Sequence, residues 1–209
     1  LPSWGEAMDD LVKREGLFYK KFSDSPFTGK VNDGLIQGSF KDGIKVGNWL
    51  EFYENGQLAE RCDWKSGSED IECKLFWDNG QYDQTCTYSK KTGGPLGCSD
   101  SFHKNGKIER RTWDNVSNKD ITHVEIFHDN GKLRFRSSYK NGSLFGKYIS
   151  YYRNGKLHCK GEYKTYKVLI LGNYYLLNKR GGFWSCFKKD GSKDETLTGY
   201  YKGGEKQTN

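Results

Sequence analysis

Proline and methionine are nearly missing from this 209-residue chain, at three residues and one, and only 34% of it is hydrophobic. That excludes the aliphatic interior on which a doubly wound α/β enzyme is built. No stretch approaches the roughly 20 apolar residues of a membrane-spanning helix; the most apolar run, Val168 to Leu171, is far too short. The histidines, His103, His123, His128 and His158, form no arrangement with a Ser or Cys and a carboxylate, and there is no Gly-rich phosphate loop and no Cys-x-x-Cys pair. The expectation is a non-enzymatic protein with no cofactor and no metal.

What is present is glycine (26 residues), aromatic rings (15%) and charge (29%). This is too aromatic for a disordered chain and too polar for a thick two-layer core, which leaves a thin β structure rich in turns. Charge is uneven: residues 1–105 carry 13 cations against 17 anions, and residues 106–209 carry 21 against 10. A basic second half favours an anionic partner, whether an acidic protein or a lipid headgroup layer; a solvated surface is the plain alternative. Nucleic acid is not expected, given the acidic first half.

The chain opens Leu1-Pro2-Ser3-Trp4-Gly5-Glu6. Small residues two apart suit a signal-peptidase site, so residues 1–5 read as a signal-peptide remnant and the protein as secreted or periplasmic. A chain end chosen for convenience would look the same. Residues 6–21 are read as an N-terminal cap, with one or two helical turns over Ala7 to Arg14 that place Met8, Leu11 and Val12 on one side and stop at Gly16.

Asn-Gly recurs at Asn55-Gly56, Asn79-Gly80, Asn105-Gly106, Asn130-Gly131 and Asn154-Gly155, in steps of 24, 26, 25 and 24 residues, and Asp190-Gly191 adds a later member. Such pairs suit the two positive-φ positions of a type I′ turn, so each marks a hairpin tip. Four residues before each Gly stand Phe52, Phe76, Phe102, Phe127, Tyr151 and Phe187; two after it come Leu58, Tyr82, Ile108, Leu133 and Leu157. A second ring follows about eight positions past the tip, at Trp64, Tyr88, Tyr139 and Tyr163, with Trp113 displaced by one. Short connections such as Lys65-Ser66-Gly67 and Lys140-Asn141-Gly142 make neighbouring strands antiparallel. The fold class expected is all-β: an elongated single-layer antiparallel sheet of repeated hairpins over residues 22–204, irregular at 164–181, with a flexible tail at 205–209. A lone hairpin is marginal, so each unit gains its stability by stacking on its neighbours.

The segments Gly47-Asn48-Trp49-Leu50-Glu51-Phe52-Tyr53-Glu54-Asn55-Gly56-Gln57-Leu58 and Gly146-Lys147-Tyr148-Ile149-Ser150-Tyr151-Tyr152-Arg153-Asn154-Gly155-Lys156-Leu157 resemble the MORN-repeat variant. The opening, Leu11 to Lys21 followed by Pro26-Phe27-Thr28-Gly29-Lys30-Val31, is similar to bacterial proteins labelled YwqK-type antitoxins. The units at Phe76, Phe102 and Phe127 lack the leading Gly. The resemblance implies a solenoid of hairpins, no catalytic residues and a role in binding; a toxin partner rests on the label alone.

Six cysteines in a chain with a suspected signal sequence suggest up to three disulfides. With turns centred at 67.5, 79.5 and near 92, Cys62, Cys73, Cys86 and Cys98 fall in one row across four strands. Pairing all four requires Cys62–Cys73 and Cys86–Cys98; Cys73–Cys86 is the competing bond and strands the outer two. Cys159 and Cys186 are left over. Four thiols in a flat row do not converge on a tetrahedral zinc.

Counting by twos from each tip places Lys107, Arg111, Lys132, Arg134, Arg136, Lys156 and Lys160 on one face, together with the Phe102, Phe127 and Tyr151 stripe, unless a bulge reverses the register. His103 and His128 occupy a slot filled by Tyr53, Trp77 and Tyr152 elsewhere and read as substituted aromatics. The functional expectation is a scaffold that offers its interleaved cations and rings to a protein partner or an anionic surface. Antitoxin-like action and attachment to a membrane or cell envelope are the rivals.

Overall fold

The structure is a computed structural model that describes residues 5–92, 94–115, 118–171 and 173–208. Residues 1–4 of the signal-remnant reading lie outside this range. The chain divides into two units, residues 1–106 and 107–209. Both are built of antiparallel strands joined in chain order, and among the described residues no sheet closes into a barrel.

The first unit contains β1 (Leu11–Arg14), β2 (Leu17–Lys20), β3 (Gly29–Asn32), β4 (Ile36–Lys41), β5 (Ile44–Phe52), β6 (Leu58–Trp64), β7 (Asp70–Phe76), β8 (Tyr82–Ser89), β9 (Pro95–Cys98) and β10 (Ser101–Phe102). Strands β3 to β9 pair successively in one sheet, and β1 and β2 form a separate hairpin. The second unit contains β11 (Ile108–Asn115), β12 (Asn118–Phe127), β13 (Leu133–Lys140), β14 (Ser143–Tyr151), β15 (Leu157–Ile170), β16 (Asn173–Cys186), β17 (Gly199–Lys202) and β18 (Glu205–Lys206), again paired in order. Residues 205 and 206, placed by sequence in a flexible tail, pair with β17.

The helical cap does not form. A single 3-10 turn covers Met8–Asp10, and the chain is extended from Leu11 onward. Eight residues are too few to offset helix nucleation. Glu15-Gly16 instead adopts φ of 50° and 86°, a two-residue hairpin turn. The resulting strand buries Leu11 against Phe27, Val31, Phe40 and Trp49, the core of the first unit.

The repeating tips differ from the expected type I′ turn. Each tip Gly has φ between 77° and 98°, while the Asn or Asp before it keeps negative φ. At the first tip Gly56 N–H donates to Tyr53 O and Tyr53 N–H donates to Gln57 O, each at 2.8 Å; the same pair of bonds closes the tips at Gly80, Gly131, Gly155 and Gly191. This is a type I turn with Gly at a bulge. The positive-φ pairs among the described residues are Glu15-Gly16, Asp42-Gly43, Asn141-Gly142 and Gly203-Gly204, the third of which the sequence pattern assigns to a connection.

Freed from the φ requirement, the tip Asn bonds forward. Its Oδ1 accepts the amide two residues on, as from Gln57 to Asn55 at 3.0 Å. Its Nδ2 donates to the following tip: Asn55 to Asp78 O, Asn79 to Lys104 O and Asn130 to Arg153 O, all at 2.7 Å. The aromatic slot three before the Gly does likewise. Tyr53 donates to Phe76 O, Trp77 to Phe102 O and Tyr152 to Phe187 O at 2.7–2.9 Å, and His128 Nε2 lies 3.2 Å from Tyr151 O. The slot selects a ring with a polar hydrogen, which is why histidine serves there.

Register follows the cysteine arithmetic. Cys62 faces Cys73, Cys73 faces Cys86 and Cys86 faces Cys98. The bonds formed are Cys62–Cys73, Cys86–Cys98 and Cys159–Cys186, with Cα atoms 4.0, 4.0 and 4.1 Å apart. Trp49 and Trp184 each lie flat over a glycine of the preceding strand: a Cβ on Gly38 or Gly161 would come within 2.3 Å of the indole. Trp184 is fully buried with Cys159, Cys186 and Tyr201, the core of the second unit.

Candidate functional site

The basic residues picked out by counting separate into three groups. Lys107, Lys132 and Lys156 follow the tip Gly, and their amines turn onto the next tip, donating to Asn130 O, Asn154 O and Asp190 O at 2.8–3.0 Å. Arg134 is displaced by the bulge beside each tip: Phe127 faces Leu133 and Ile126 faces Phe135, so Arg134 has no residue opposite and stands exposed. Beyond the bulge the expected register returns. Arg136 faces Glu125, and Arg111 faces Glu125 from the other side.

Glu125 is buried, with 6% of its surface exposed. Arg136 Nε donates to Oε1 at 2.6 Å and its Nη2 makes a second, tighter contact, while Arg111 Nη1 lies 3.6 Å from Oε2. A carboxylate drawn out of water is held here by two guanidinium groups that stay half exposed. The Arg111 guanidinium also lies 5.9 Å from the Phe127 ring centre. Of the remaining expected residues, Phe102 packs 5.6 Å from Tyr82 in the first unit, and Tyr151 faces Leu157.

One row crosses the outer face of the second unit from Arg136 through Ile149 and Lys160 to Ser185. It floors a shallow depression of about 770 Å³, whose walls include Lys147, Glu162 and Phe183. Phe183 is 56% exposed and 6.0 Å from Tyr200. Neither Lys147 nor Lys160 has a carboxylate within ion-pair distance among the described residues, and Lys147 faces Glu162 across the strand pair. Cations beside the apolar surface of Ile149 and Phe183 suit an acidic segment that also carries rings or aliphatic groups.

Counting along the sequence finds Arg136 and Lys160 and misses Lys147 and Phe183. The signal is present in Gly146-Lys147-Tyr148 and Gly182-Phe183-Trp184: each Gly has positive φ, the ring two residues on packs inward, and the residue between them must face outward.

Elsewhere, ionisable groups are shifted by burial. In the first unit the Lys45 amine sits 4.0 Å from the Trp49 ring centre, and burial lowers its pKa. Glu60, facing Glu51, is raised by burial first and by that neighbour second. Glu60, Cys62 and Cys73 are metal-ligand types lying together, but the two sulfurs are bonded to each other and offer no thiolate. The histidines are engaged with neighbours: His123 lies between Asn115 and Ser138, and His158 packs 4.6 Å from the Tyr152 ring.

No curated protein gives a significant match to the sequence. Residues 45–66, 123–141 and 146–165, which fall on the hairpins β5–β6, β12–β13 and β14–β15, match the family model of the MORN repeat variant.

Proposed function

We propose that this protein is a non-enzymatic, secreted or periplasmic repeat scaffold, and that the depression on the second unit holds an acidic segment of a protein partner. The observation that carries this reading is the grouping of Lys147 and Lys160 around Ile149 and Phe183, beside Glu162 and an Arg136 already paired with Glu125. Three disulfides favour an oxidising compartment. Among the described residues, no helix is long and apolar enough to cross a membrane.

The test is affinity capture from the native source followed by mass spectrometry, with the wild type and the Lys147→Glu/Lys160→Glu variant side by side. A partner enriched on the wild type, lost on the variant and released by raised salt supports the reading. A partner held equally by both proteins refutes the assignment to this face.

A further inference from the structure

Beyond Tyr163 on β15 and Arg180 on β16 the second sheet ends, yet the two strands continue together. β14 pairs with β15 only as far as Tyr163, and β17 pairs with β16 only from Gly182. The pairs from Lys164↔Lys179 to Ile170↔Asn173 therefore form a two-stranded arm of seven levels, roughly 23 Å long at about 3.3 Å per residue. A bare hairpin of this kind is marginal in water, and this one is built unlike a surface hairpin. Leu171 is 97% exposed, Leu176 73% and Tyr174 65%, with Leu169, Ile170 and Tyr175 also open.

We infer that the arm is a lipid anchor whose tip enters the interface of an anionic bilayer. Three features choose this occupant. Residues 168–171 and 174–177 are apolar without alternation, so both faces of the arm are apolar, whereas a groove on a protein would cover one face. Between Lys167 and Lys179 there is no charge, and below it stands a cationic collar whose available charge is that of Lys167 and Lys179, since at the base Lys164 is paired with Glu162 at 3.3 Å and Arg180 lies 4.2 Å from the Trp184 ring centre. No carboxylate occurs from Tyr163 to Lys189. Lys167 Nζ lies 4.1 Å from the Tyr174 ring centre, so its charge stands beside that tyrosine, two levels nearer the tip than Lys167 itself.

The backbone limits the depth. The outer edges of the arm carry ladder groups that no third strand satisfies, and these do not enter hydrocarbon cheaply. Entry to about 5–10 Å, the depth of interfacial segments, corresponds to two or three levels and covers Leu169 to Leu171 with Asn173 to Tyr175, leaving Leu176 level with Lys167. The tyrosines then lie at headgroup level and the collar faces the phosphates. This inference stands apart from the depression on the sheet face, which uses other residues.

The test is flotation of the intact, disulfide-bonded chain with vesicles of phosphatidylcholine alone and with about 30% phosphatidylserine, across a salt series. Wild type should float with the anionic vesicles and much less with the neutral ones. Leu171→Glu/Leu176→Glu should lose at least ten-fold of this binding. Lys167→Glu/Lys179→Glu should lose at least the roughly five-fold per cation expected for charges at such a surface. Lys147→Glu/Lys160→Glu should float nearly as wild type. As a direct reading of depth, Leu171→Trp should shift its emission to the blue on anionic vesicles and be quenched by brominated acyl chains. Wild type left in the soluble fraction, tip variants that bind unchanged, or a dimer abolished by Leu171→Glu in place of vesicle binding would each overturn the inference.

Discussion

In the middle of the first unit, β6 to β9 are crossed by Cys62–Cys73 and Cys86–Cys98. At the start of the second, β11 to β13 contain no cysteine, and the carboxylate of Glu125 lies between Arg111 and Arg136. Neither region has an apolar core of any depth. Among the described residues, the buried side chains there are limited to Ile71, Cys73 and Cys86 in one and to Val124, Glu125 and Ser137 in the other. A sheet this thin needs ties between strands, and the two units use different ones. A covalent tie constrains the unfolded chain and ignores salt and pH. An ionic tie acts in the folded state and depends on the charge remaining in place.

Breaking the covalent ties should have the largest effect. Replacing all four cysteines of the first unit by serine should cost about 2–3 kcal/mol per bond. Hydrogen exchange in β6 to β9 should accelerate while β11 to β18 keep their protection. Equal acceleration in both units would mean that the disulfides support the molecule as a whole. Next comes Glu125→Ala, which leaves Arg111 and Arg136 facing each other over a cavity. The cost should be about 2 kcal/mol, below the value for a fully buried pair because the guanidinium groups reach water. Glu51→Ala is the control in the first unit. It removes one of two carboxylates facing across β5 and β6 and should be neutral or slightly stabilising by denaturant titration.

The cysteine pairing is legible in the sequence although the turn type is not, and the reason is geometric. A type I tip carries one residue more than a two-residue turn, and the bulge beside it takes that residue back. Leu75 faces Gln84, as a centre at 79.5 requires, while Phe76 faces Tyr82. Arithmetic from the tips is therefore right beyond the bulge, where the cysteines, Arg111, Arg136 and Lys160 lie, and wrong beside it, where Arg134 lies. The lysines next to the tip Gly escape such counting for another reason: their acceptors belong to the next tip, 22 to 34 residues away, and no local pattern shows that. Nor does composition reveal how Val168 to Leu177 are placed. A short apolar run reads equally as a buried strand and as an exposed one, and its exposure depends on where the neighbouring strands stop pairing.

The tips sharpen the comparison at smaller scale, because the first unit has Gln57 and Gln81 where the second has Lys132 and Lys156. Asn79→Ala and Asn130→Ala should each cost about 1 kcal/mol, since the side chain satisfies its own loop and a carbonyl of the next. Trp77→Phe and Tyr152→Phe should cost a similar amount, by leaving the Phe102 and Phe187 carbonyls short of a donor. Lys132→Met should cost no more than about 0.5 kcal/mol, because the lost bond is exposed to water. If Lys132→Met proved as damaging as Asn130→Ala, the lysines would be principal ties in the basic unit.

Acid should separate the units with the smallest effect and in opposite directions. In the first, the folded pKa of Glu60 lies above its ordinary value, chiefly through burial and then through Glu51. Its ionisation opposes folding at neutral pH, and that opposition fades as pH falls through the raised folded value towards the ordinary range near about 4.3. In the second, Asp190 is lowered by the hydroxyl and then the amide of Ser192, and Asp194 chiefly by the hydroxyl of Thr196. Folded values below the unfolded ones give stability that is present above the ordinary aspartate range near about 3.9 and is lost as pH falls through the lowered values. Amide exchange followed from pH 7 downward should therefore show β5 and β6 slightly better protected in mild acid, and the segment from Lys188 to Thr198 losing protection only at lower pH. Glu60→Gln should abolish the first trend and Asp194→Asn the second. A common loss of protection in both units at one pH would place their acid response in shared charge repulsion, and not in these carboxylates.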